Sequence, residues 1–151
     1  MKLAEALLMR TEYQNKLAEL TRALDQNIKV QEGDKPALDP AALIAESLRL
    51  QDALAELIKQ INRTNQTTVL DNGVNLANAL VQRDTAAKKR SFLTGIIEKA
   101  GTRDYRLTRA EIKMLVTVSI PELQQQADRL AKEFREIDTA IQAKNWTTDI
   151  E

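Results

Sequence analysis

Two stretches of the chain, "LAEALLMR" from Leu3 and "LANALVQR" from Leu76, agree at five of eight positions, 73 residues apart. A second agreement runs at an offset of 80 residues. It pairs Leu43 with Leu123, Arg49 with Arg129, Leu50 with Leu130 and Glu56 with Glu136. It continues through Ile61 with Ile141, Asn65 with Asn145, Thr67 with Thr147 and Thr68 with Thr148, which makes eight identities over positions 43–68. Heptad-rich sequences align with one another easily, but the "N-x-T-T" endings are not periodic. The helix-starting residues Asp39 and Ser119 also fall on the same offset. The chain therefore reads as two related hairpins, 1–70 and 74–150, and each must bury an apolar stripe against something.

The stripes are helical. Leu3, Leu7, Leu17, Leu20 and Leu24 recur at helical spacing and predict a first helix from Lys2 to about Asp25. Asp39 before Pro40 is a strong helix start, because the carboxylate can accept from otherwise unpaired amides and proline has no N–H to leave unpaired. That second helix carries Leu43, Leu50, Leu54, Leu57, Ile58 and Ile61 and ends near "INRTNQTT". "DNG" at Asp71–Gly73 is the sharpest turn signal. A third helix opens at "LANALVQR". Thr108 and Glu111 have capping-box spacing, as do Ser119 and Glu122, the latter opening a fourth helix that ends at "NWTT".

Two hairpins without a partner each would pack together, so the expected fold is all-α, an antiparallel four-helix bundle with coiled-coil-like seams, in one domain spanning 1–151. Apolar alternation around Val30 in "NIKVQ" and Val116 in "MLVTVS" adds the expectation of a minor two-strand element between them. Hydrophobic residues reach 43% while aromatics are 3%, which suits aliphatic helix seams.

Composition excludes much chemistry. With no Cys there are no disulfides and no thiolate nucleophile. With no His, imidazole bases and nearly all zinc and di-iron ligand sets are gone, and no metal or cofactor is expected. Basic and acidic residues balance at 22 each, so there is no overall field to attract polyanions and no nucleic-acid partner is expected. The surplus from Lys88 to Lys113, eight basic residues against three acidic, reads as a solvated helix face and loop. The longest uncharged run, Asn72–Gln82, is too short to cross a bilayer, and the N-terminus reads as an amphipathic helix rather than a signal peptide. A soluble cytoplasmic protein is the resulting expectation.

No phosphate loop, nucleophile elbow or HExxH is present. Asp39, Glu46, Glu56 and Glu136 have the spacing of ordinary helix faces. Glu32, Asp34 and Asp39 in "EGDKPALD" do not match an EF-hand, and the sequence leans away from an enzyme. What the repeat does offer is a polar cluster at one bundle end. In antiparallel hairpins the "LAxALxxR" starts and the "NxTT" ends meet, which groups Arg10, Arg83, Asn65, Thr67, Thr68, Asn145, Thr147 and Thr148. Arg10 lies on or beside the apolar stripe and should pair with Glu56, and Arg83 with Glu136, or the crossed equivalents. The structural reading of this cluster is a register device; the functional one is a site for an anion or small polar ligand. Trp146, the sole Trp, is expected to pack over the bundle end.

The segments "KLAEAL", "KVQEGDKP" at 29–36, "INRTNQTT" at 61–68, "RAEIK" at 109–113 and "NWTT" at 145–148, in this order and spacing, resemble a family of small bacterial proteins called septicolysin-like. The resemblance implies a compact helical fold and a bacterial source, and carries no catalytic residues. The name evokes thiol-activated pore-forming toxins, from which this short, Cys-free chain departs. The leading expectation is a non-enzymatic protein acting by protein–protein contact, as a homo-oligomer. This rests on the second helix, whose Ile44, Leu48 and Ile58 add apolar character beside the Leu43–Leu57 seam. A membrane-active protein and an anion-binding module are the alternatives.

Overall fold

The computed structural model describes residues 1–102 and 113–151. Four long helices account for most of them: α1 (Leu3–Asn27), α2 (Pro40–Thr67), α3 (Leu76–Gly101) and α4 (Ile120–Thr147). The chain is all-α, of the helical-bundle class, and its helices pack in pairs. The capping box at Thr108–Glu111 and most of "RAEIK" lie outside the described residues.

The helix starts follow from local chemistry. The Asp39 side chain accepts from the Ala41 N–H at 3.1 Å, with Pro40 in the first turn. Ser119 Oγ accepts from the Glu122 N–H at 3.4 Å, half of the expected capping box. At the start of α1 the Glu5 carboxylate accepts the Lys2 N–H at 2.7 Å, satisfying a backbone donor that no helix carbonyl reaches.

The residues fall into two compact units, Met1–Leu76 with Gln142–Glu151, and Ala77–Ile141. This division does not follow the hairpins, since the last turns of α4 belong with the first unit. In that unit α1 and α2 pack as an antiparallel pair. Asn27, buried at the end of α1, donates its side-chain amide to the Ala23 carbonyl at 2.7 Å. Its carbonyl oxygen accepts the Leu38 N–H at 3.0 Å, which fixes the end of α1 beside the start of α2. The core here includes Leu3, Leu20, Leu57, Ile61 and Leu70. In the second unit Ala79, Ala86, Ala127 and Ile141 are buried, and Arg83 of α3 is ion-paired to Asp138 of α4 at 2.9 Å.

Burial repeats with the sequence. Leu3 and Leu76 are buried, as are Ala6 and Ala79, and Ile61 and Ile141; Leu8 and Val81 are exposed alike. The repeat thus copies a pattern of contact surfaces as well as letters.

The expected strand pairing of Val30 with Val116 is absent. Both segments are without strand structure and both valines are exposed. Alternating β-branched residues favour a pleated surface only where a neighbouring strand covers one face, and among the described residues neither segment has such a partner. Backbone bridges form at other places, Lys2 with Asp149 and Val69 with Asn75.

Candidate functional site

The two "NxTT" segments terminate α2 and α4, and both lie in the first unit. Each helix closes the same way: the Thr68 N–H donates to Thr64 O at 2.9 Å and the Thr148 N–H to Lys144 O at 3.0 Å. The chain then runs into a short antiparallel bridge with the start of an "LAxAL" helix. After α2 this is the tight turn through Gly73, whose φ of +85° puts it in the left-handed region that suits glycine. The Leu70 N–H donates to Val74 O at 2.8 Å, and the Leu76 N–H to Thr68 O at 2.9 Å. After α4 the same two bonds recur between the chain's ends. The Ile150 N–H donates to Met1 O at 3.1 Å, and the Leu3 N–H to Thr148 O at 2.8 Å.

Every member of one set maps onto the other by the offsets of 73 and 80: Thr68 onto Thr148, Leu70 onto Ile150, Val74 onto Met1, Leu76 onto Leu3. The bridges map too, Val69–Asn75 onto Lys2–Asp149. The repeat therefore encodes one junction used twice, once as a turn within the chain and once to dock residues 148–150 onto the chain's first residues. Its chemistry is economical. A helix leaves its first N–H groups without intrahelical partners, and the carbonyl past the end of a preceding helix supplies one.

The side chains at the junction are occupied. Thr67 Oγ1 donates to Arg63 O at 3.2 Å and Thr147 Oγ1 to Lys144 O at 3.2 Å, the local back-bonding typical of Thr near a helix end. Buried Thr64 donates to Gln60 O at 2.9 Å while its oxygen accepts the Glu151 N–H at 3.0 Å. Lys2 Nζ donates to Asp149 Oδ2 at 2.9 Å and to Thr147 O at 3.3 Å, and the N-terminal ammonium stands 4.0 Å from Asp149 Oδ1. The hydrogen bond from Lys2 holds the Asp149 carboxyl below the usual carboxylate range. Asn145 is buried and Asn65 half-buried. Among the described residues no buried side-chain polar atom lacks a partner, so the junction has the satisfied chemistry of a structural joint.

The arginines do not join it as expected. Arg83 pairs with Asp138 at 2.9 Å and Asp84 at 3.1 Å, in the second unit, and not with Glu136. Burial alone would lower the Arg83 pKa; the hydrogen bonds to Asp138 and then Asp84 outweigh it and raise the value. Glu136 is exposed and faces Lys132 at 3.8 Å, one turn away on its own helix. Glu56 is likewise exposed and binds Lys59 at 2.7 Å. Arg10 has no carboxylate partner among the described residues. The physical reason is helical phase: two residues turn a helix by about 200°, so Asp138 and Glu136 lie on nearly opposite faces. In the first copy the position of Asp138 is held by Ile58, which leaves no carboxylate there for Arg10.

Trp146 also departs from expectation, being 59% exposed rather than packed. Its counterpart Gln66 is exposed as well, so the position faces solvent in both copies. Sequence reasoning passed over Lys2, Asp149, Thr64, Asn27 and Asp138. The offset of 80 could have found Asp138, because it marks the one place where the second copy sets a charge against a first-copy isoleucine. Among the described residues no cluster of three acidic side chains could hold a metal ion, and no helix is long and apolar enough to cross a membrane.

No curated protein matches the chain. Its structure is similar to a crystal structure of a functionally unknown conserved protein from Corynebacterium diphtheriae, 40% identical, with a TM-score of 0.93 over 100% of this chain and 99% of that one. Residues 10–150 match the model of the family of unknown function DUF6847, and the chain belongs to that family.

Proposed function

We propose that this protein acts through protein–protein contact, in the first place with further copies of itself, and not as an enzyme. The observation that carries this reading is the set of aliphatic side chains left exposed around the α1–α2 connection. Ile28, Val30 and Leu38 lie in or beside the connection itself. Ile44 and Leu48 follow within the first three turns of α2, four residues apart on one helix face, and Leu48 is 58% exposed. The opposite side of α2 is already committed to the core through Leu57 and Ile61. Two apolar faces on one helix, one of them uncovered, are what an association surface requires. The chain's zero net charge removes the long-range repulsion that keeps like-charged copies apart, which favours a second copy as the occupant.

The test is light scattering coupled to size exclusion, at micromolar to 100 micromolar concentration. The reading expects a mass at least double the 17.0 kDa of one chain. It further expects a return to the single-chain mass in the Ile44→Ser/Leu48→Ser variant, which changes two exposed side chains and none of the core. A parent that remains at 17.0 kDa throughout contradicts it.

A further inference from the structure

In the second unit a groove of about 610 Å³ opens between α3 and α4, within the range of small-ligand sites. We infer that this groove binds a small organic anion, a carboxylate, sulfonate or phosphate head on an aromatic or aliphatic body. The inference is independent of the self-association reading, because the groove is lined by none of the residues that reading uses.

Three features combine. The apolar part of the lining includes half-buried Phe134 of α4 and, on α3, Gly95, where an added Cβ would meet nothing within 4 Å. Glycine inside a helix is unfavourable relative to other residues, and here its missing side chain leaves room rather than admitting a neighbouring backbone. The charged part consists of Arg90 and Arg135, one from each helix, and neither has an ion-pair partner among the described residues. Arg83, less than two turns before Arg90 on α3, shows the contrast, since it is closed off by two carboxylates. The third feature is a hydroxyl, Ser91, on the same wall as Arg90, available to donate to an anion's oxygens. The single carboxylate of the lining, Glu98, lies eight residues from Arg90, about 12 Å along the helix, at the far end of the wall. The charge of the lining is thus positive where Ser91 is. Guanidinium groups bind planar oxyanions through paired N–H donors, and Phe134 offers a flat surface to an apolar body.

The probe is 1-anilinonaphthalene-8-sulfonate, an aromatic sulfonate whose fluorescence rises on leaving water, titrated into the full chain. The expected result is saturable binding of one dye per chain, weakened at least tenfold in Arg90→Met/Arg135→Met. Gly95→Leu, which fills the groove while improving helix propensity, abolishes it. The neutral analogue N-phenyl-1-naphthylamine binds at least tenfold more weakly than the sulfonate. Circular dichroism confirms that each variant is folded. Dye binding that is unchanged in both variants, or equal for the neutral analogue, overturns the inference. So does binding lost instead in Ile44→Ser/Leu48→Ser, which would assign the dye to the exposed aliphatic surface.

Discussion

If the two junctions are the same structure, truncating Leu3 and truncating Leu76 should do the same thing. Both leucines are 0% exposed, and both begin a helix whose first N–H is held by a threonine carbonyl. Leu→Ala at a fully buried site costs about 2–5 kcal/mol, made up of lost apolar transfer and the cavity left behind. Taking ~3 kcal/mol against a total stability of about 5–15 kcal/mol, each variant forfeits a large share of its folding free energy. For a chain of this length that corresponds to a melting point lowered by roughly 6–12 °C. Urea unfolding followed by far-ultraviolet circular dichroism and by Trp146 fluorescence measures both variants beside the parent. The expectation is a reduced midpoint, an unchanged slope and costs for Leu3→Ala and Leu76→Ala within about 1 kcal/mol of each other. Residue 3 of a chain is ordinarily where ends fray, and a frayed Leu3 would cost almost nothing to truncate. A Leu3→Ala variant within ~1 kcal/mol of the parent, beside a strongly destabilised Leu76→Ala, would refute the equivalence.

Three further outcomes follow from the same contacts. Arg83→Met removes the ion pair that joins α3 to α4 at Asp138 and should cost about 1–2 kcal/mol in urea unfolding, while Glu136→Gln should stay within about 0.5 kcal/mol of the parent. Because the Asp149 carboxyl is held below its ordinary value of 3.8 in the folded chain, its contribution is present at neutral pH and fades as pH falls through and below that value. Asp149→Asn should therefore narrow the stability gap to the parent as unfolding midpoints are measured from pH 6 down to pH 3, and a gap independent of pH would refute the Lys2 contact. Asn27→Ala removes the bridge between the end of α1 and the Leu38 amide and should cost about 1–2 kcal/mol by thermal unfolding, with no effect meaning that the connection is held by other contacts.

Much of this architecture is legible in the letters. Asp39–Pro40 marks the start of α2 because its capping chemistry is local, and Asp71–Gly73 marks the turn because glycine alone takes its backbone angles without strain. The repeat exposes the paired junctions for a similar reason, since "NxTT" and "LAxAL" recur as unbroken words. What the letters leave open is helical phase. Apolar residues on more than one side of each helix allow several rotations, and a rotation of two residues is enough to exchange Glu136 for Asp138 as the partner of Arg83. The bridges were missed for a different cause. β-propensity pointed to Val30 and Val116, yet the backbone pairs where helix ends leave donors and acceptors to be satisfied, at Lys2, Val69, Asn75 and Asp149. Of the expected polar cluster, both "NxTT" segments fall in the first unit, where Thr68 O and Thr148 O each accept the first N–H of a helix, while Arg83 is engaged by Asp138 in the second unit.

The repeat builds a single junction twice, and the second copy binds residues 148–150 to residues 1–3. Native-state hydrogen exchange, read amide by amide by NMR, tests it without altering a residue. The Leu3 and Leu76 amides donate to Thr148 and Thr68 at 2.8 and 2.9 Å. Two equivalent junctions give strong protection at both, with exchange rates that agree to within about tenfold, a difference of about 1.4 kcal/mol in opening free energy. A Leu3 amide that exchanges at the rate of an unstructured terminus, beside a protected Leu76, would contradict it.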